Sequence, residues 1–107
     1  MELVRWEEKR DGALSERALR RKLEALGYRV SRWVYPPGTV FDFHTHEYDK
    51  MDAVVSGQFR MTMNGESVVL GPGDALPVPA GSAHRAEVVG AEPVVSLDGE
   101  FHGSREP

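Results

Sequence analysis

Gly38-Thr-Val-Phe-Asp-Phe-His44-Thr-His46-Glu-Tyr-Asp-Lys50-Met-Asp-Ala-Val-Val-Ser-Gly57 is the stretch whose reading decides the fold. Its centre is His44 and His46, one residue apart. In a strand successive side chains point to opposite faces, so an i, i+2 pair shares a face. Two imidazoles so placed are in position to share a metal ion, and imidazole suits Zn, Cu, Fe and Ni. By the same parity Phe41 and Phe43 take the alternate face, and Asp42 joins the histidines on the polar one.

Alone, His-x-His is a weak signal. A second stretch strengthens it: Gly73-Asp-Ala-Leu-Pro-Val-Pro79-Ala-Gly81-Ser-Ala-His84. Together the two resemble the motifs of the cupin family, small β-barrel proteins. The first family motif is Gly, five residues, His-x-His, three or four residues, Glu, six residues, Gly. Gly38, His44, His46 and Gly57 match it. The second is Gly, five residues, Pro-x-Gly, two residues, His, three residues, Asn, and Gly73, Pro79, Gly81 and His84 match it up to the His. Two positions depart: Lys50 stands where the family has Glu, and Val88 where it has Asn. The resemblance implies a cupin double-stranded β-helix, a jelly-roll barrel, with a divalent transition metal (Fe, Mn, Zn, Ni or Cu) on His44, His46 and His84. Some cupin-like enzymes, thiol dioxygenases among them, work with a three-His site, so the missing Glu does not exclude a metal.

Lys50 sets the terms of that expectation. Motif register points it into the barrel beside the histidines. At about 5 Å and an effective ε near 20, a +1 and a +2 charge repel by on the order of 6–7 kcal/mol. The ammonium must therefore lose its proton, swing away or pair with a carboxylate. Asp52 and Asp42 are the nearest partners by strand parity, Asp52 lying about 6.6 Å along the same face. Asp52, through a bulge or register shift, or Glu47, if the loop after His46 folds back, is the candidate fourth metal ligand. Lys50 and Asp52 are also the candidate catalytic groups, Lys50 as an anchor for an anionic substrate or as a base. If the chain is an enzyme, fold analogy suggests a metal-dependent oxidoreductase, such as a dioxygenase, or an isomerase. The alternative is a non-catalytic small-molecule binding or sensing module without metal, in which Lys50 supplies the positive charge.

The remaining sequence agrees with an all-β barrel. With 107 residues, 40% hydrophobic and 28% charged, it has the composition of one ordinary globular domain. It lacks cysteine, which excludes disulfides and thiolate metal sites. One Asn, one Gln and no Cys give it a thermophile-like composition. No apolar run approaches the roughly 18 residues of a membrane helix and no signal-peptide pattern opens the chain, so a cytoplasmic protein is expected. Residues 1–32 carry nine Lys/Arg against six Asp/Glu, and residues 33–107 four against eleven. That acidic half argues against nucleic acid as a partner.

Along the chain, Leu3–Trp6 reads as an edge strand and Glu7–Gly12 as turn or loop. Leu14, Ala18, Leu19, Leu23 and Leu26 recur at helical spacing, predicting a helix over about 14–26, with Asp11 or Ser15 as N-cap and Gly27 beyond its end. This N-terminal extension, 1–32, precedes a barrel over 33–98 and a tail over 99–107. Tyr28–Tyr35, the His-x-His segment, Lys50–Val55, Gln58–Met63, Ser67–Leu70, Ala75–Val78, Ala83–Val89 and Val94–Leu97 read as strands. Asn64-Gly65 between two of them is a type I′ hairpin signal. Asp74 reads as a turn residue, Glu87 and His102 as surface, and Met61 and Met63 as core. A homodimer is expected, helped by the edge strand at Leu3–Trp6, with a small molecule as the other partner.

Overall fold

The chain moves from one sheet to the other at almost every turn, and this builds the barrel. The structure, a computed structural model, describes residues 1–103. One antiparallel sheet has the order β1 (Arg29–Tyr35), β8 (Val94–Phe101), β3 (Asp49–Ser56), β6 (Ala75–Val78). The other has the order β2 (Val40–His44), β7 (His84–Val89), β4 (Gln58–Met63), β5 (Glu66–Leu70). Among the described residues only β4 and β5 are a hairpin within one sheet, closed by Asn64-Gly65 with φ of 54° and 76°, the signs a type I′ turn requires. This is the jelly-roll barrel expected from the strand pattern.

Alternation along the strands sorts the side chains into two cores. Phe59, Met61 and Met63 of β4 point inward and pack with Val54, Leu70, Leu76, Val78, Ala86, Val88 and Val94 between the sheets. The outer face of the first sheet is also apolar, through Met51, Ala53, Ala75 and Leu97. It is covered by α2 (Glu16–Ala25), whose Leu19 and Leu23 are fully buried there. Strand β3 is thus buried on both faces, the pattern expected of a central strand under a helix.

Several local expectations need correction. Glu8–Asp11 is a short helix, α1, rather than a loop. Ser15 caps α2, accepting from the Ala18 N–H at 3.0 Å, whereas Asp11 serves the Glu7 N–H and Lys22. Leu3–Trp6 is no strand: Val4 makes a single bridge to Ala75, closing the free edge of β6. Residues 99–101, read as the start of the tail, are strand, and so is Asp98, beyond the expected strand end at Leu97. Residues 104–107 of that tail lie outside the described residues.

Candidate metal centre

The three histidines arrive from both motifs on the second sheet. His44 ends β2 and His84 opens β7, directly opposite each other in register, and His46 follows in the turn after β2. The register shifts between Phe41 and His44. That irregularity breaks strict alternation, so Phe41 and His44 both line the interior while Asp42 and Phe43 face outward. The expectation that Asp42 shares the histidine face therefore fails; its carboxylate accepts from the Phe43 N–H at 2.8 Å and reaches toward Arg85 at 4.0 Å. The Pro-x-Gly turn is stapled to the first motif: the Gly81 N–H donates to the His46 carbonyl (2.9 Å) and the Ala80 N–H to Asp49 Oδ1 (2.8 Å).

One ring nitrogen from each of His44, His46 and His84 lies within 4.8 Å of the others. His44 Nδ1 is 2.7 Å from the Asp42 carbonyl and His84 Nδ1 2.9 Å from the Ser82 carbonyl. A carbonyl only accepts, so both Nδ1 atoms carry a proton, which in a neutral ring leaves the lone pair on Nε2. His46 Nε2 is buried without a hydrogen-bond partner among the described residues. Burial lowers the pKa of His46, helped by the charges of Lys50, His44 and His84. Burial also lowers that of His84, against the opposing Ser82 hydrogen bond. Both rings are thereby held in the neutral form that a metal requires. Three imidazoles, two of them with fixed tautomers and the third with a buried unserved nitrogen, are a donor set fit for a divalent transition metal.

Lys50 does not point at this centre as a free cation. It is buried, 8% exposed, on the facing sheet. Its Nζ lies 2.8 Å from Asp98 Oδ1 and 3.4 Å from Asp52 Oδ1. Asp52 and Asp98 are themselves cross-strand partners. Burial pulls the Lys50 pKa down, but the two carboxylates outweigh it and the ammonium ends above its ordinary range. Burial, and then repulsion from Asp52, push the Asp98 carboxyl up to about 6 despite Lys50. Of the partners parity offered, Asp52 pairs with Lys50 and Asp42 does not. Glu47 is exposed, and neither it nor Asp52 belongs to the group of clustered ligand atoms.

Asp98 is the residue sequence reasoning missed. The signal was the continued alternation Val94, Ser96, Asp98 beyond the last apolar residue, Leu97. All these groups line one cavity of about 380 Å³ between the sheets, together with Trp33, Tyr35, Phe41 and Phe59. His102 is on the surface beside Glu100, and Glu87 holds Arg60 and Arg85 on the barrel exterior.

Residues 31–99 match the family model described as a cupin domain. This chain belongs to the cupin family. Two solved structures show what this cupin is similar to. TT1209 from Thermus thermophilus is 28% identical with a TM-score of 0.61, over 65% of this chain and 68% of that one. KdgF from Halomonas sp. is 27% identical with a TM-score of 0.62, over 71% of each. A cupin-like protein from Thermotoga maritima, 21% identical over 75% of this cupin and 61% of its own chain, has a TM-score of 0.64 and shares the fold. No curated protein matches the sequence significantly.

Proposed function

We propose that this cupin binds a divalent transition metal through His44, His46 and His84 and takes a small molecule into the adjoining cavity. The observation that carries the reading is the buried His46 Nε2 without a partner, beside two histidines whose Nδ1–H groups are committed to carbonyls. When bound, such a metal supplies Lewis-acid polarisation of a ligand oxygen. The chain's own residues hold the rest. The Asp42 and Ser82 carbonyls orient two rings, the Gly81 N–H fixes the His46 backbone, and the aromatic side chains line the rest of the cavity.

The alternative, a metal-free module with Lys50 as its positive charge, has less support. Lys50 is already engaged by two carboxylates, and with both ionised the group carries a net charge of −1. The same pairing removes the objection that an ammonium would repel the metal. A metal that binds the native state raises the thermal midpoint, by an amount that grows with the logarithm of its free concentration above Kd. Zn, Mn, Fe, Ni or Cu should raise it for the wild type and leave His84→Ala unmoved; equal shifts for both would refute the assignment. We also propose a homodimer, for which Val34, Val40 and Phe43 on edge strands β1 and β2 offer exposed apolar surface in place of Leu3–Trp6. Light scattering should give twice the chain mass, and a monomer at high concentration would refute it.

A further inference from the structure

The two walls of the cavity differ in kind. His44 and His84 come from the second sheet and His46 from the turn after β2, while Lys50, Asp52, Ser96 and Asp98 come from the first. Around them stand Trp33, Tyr35, Phe41 and Phe59, four of the nine aromatic residues in the whole chain. Tyr35, Phe41 and Phe59 pack on one another, with centroids 4.8 and 5.7 Å from that of Tyr35. Trp33 stays 52% exposed at the edge.

The charged wall is one proton short of balance, since a single ammonium serves two carboxylates. Asp98 Oδ1 is buried, and the 2.8 Å ion pair with Lys50 Nζ, which Lys50 shares with Asp52 at 3.4 Å, is what serves it among the described residues, leaving the two carboxylates short of donors. Burying an acceptor unserved is unfavourable, and a charged acceptor the more so. What completes this wall is a donor from a ligand, and a ligand anion would add to its negative charge. The aromatic side offers few polar partners, the Tyr35 hydroxyl and a Trp33 N–H already donated to Ser31 Oγ, so a molecule with hydroxyls all round its ring would leave several of them unmet. A flat apolar ring with its polarity on one edge satisfies both walls. A cavity of about 380 Å³ is small among ligand sites, which commonly span about 300–1,000 Å³.

We propose that the cavity binds a single-ring phenol, uncharged, with its hydroxyl donating to Asp98 and its ring against Trp33, Tyr35, Phe41 and Phe59. The proposal rests on the cavity being the small-molecule site, as proposed above, and not on the metal. The probe is 4-nitrophenol, whose yellow phenolate band reports its ionisation. Titration of the full-length protein near neutral pH with chelator present keeps the outcome separate from metal binding. The expected result is saturable binding, with the phenolate band lost as the neutral form is taken up, and no binding of the slightly larger anion 4-nitrobenzoate.

Asp98→Asn should weaken 4-nitrophenol about ten- to a hundredfold, the worth of a hydrogen bond to a charged acceptor. Trp33→Ala, at a half-exposed position the fold tolerates, should weaken it about two- to tenfold. Absence of saturable binding, retention of the phenolate band, or 4-nitrobenzoate bound as tightly would overturn the proposal on the wild-type protein alone. Unchanged affinity in the variants would overturn it as well.

Discussion

Lys50 occupies the position where the family motif has a carboxylate, and it brings its own carboxylates with it. Removing one partner of a buried ion pair leaves an uncompensated charge and costs about 3–5 kcal/mol. Lys50→Met should therefore destabilise the protein at pH 7 by an amount of that order in urea unfolding. The loss should shrink on acidification, because Asp98 then takes up a proton. The sign follows from the raised Asp98 pKa. The folded state holds that proton more tightly than the unfolded chain. The resulting stabilisation is present below the ordinary carboxylate range and is lost as pH rises from about 4 through about 6. Asp98→Asn should remove this component, so the difference in stability between wild type and variant should vary with pH across that window. A pH-independent difference would mean that Asp98 keeps its ordinary pKa.

At the scale of elements, legibility followed the strength of the local pattern. Strands β4 and β6 matched their expected bounds because alternation and flanking turn residues agree there. β2 was misread in its facing because nothing in Val40–His44 announces the irregularity that puts Phe41 and His44 on one side. α1 escaped notice since four residues carry no helical period. The end of β8 was cut short because Asp98-Gly-Glu100 interrupts the apolar pattern, although these residues pair with β1 and β3. The motif glycines have a physical reason that spacing alone does not give. Gly57 sits at φ +85°, and a Cβ there would collide with the Pro93 carbonyl oxygen. Gly57→Ala should cost about 3 kcal/mol, combining left-handed strain with a backbone clash, and chemical denaturation measures it. A change under about 0.5 kcal/mol, the usual range for a harmless substitution, would show that the turn relaxes freely.

For the whole molecule, the two cores assign stability and function to opposite faces of the same sheet. The outer face of β3 and β8 lies under α2, and their inner face carries Lys50, Asp52, Ser96 and Asp98. Leu23→Ala should cost about 2–5 kcal/mol through the cavity it leaves under the helix, yet leave the metal content per folded chain unchanged. Coupling between them would mean that the helix positions the site. The sequence showed both motifs and so the three histidines, since each is local. It could not show the wall opposite them, because Asp98 meets Lys50 and Asp52 only through pairing between distant strands.

The metal content of the purified protein tests the central claim most directly. Elemental analysis after exposure to Fe, Mn, Zn, Ni and Cu should find one of these ions per chain in the wild type and none in His84→Ala. A wild-type protein without metal after that exposure, or a variant holding as much, would contradict the account.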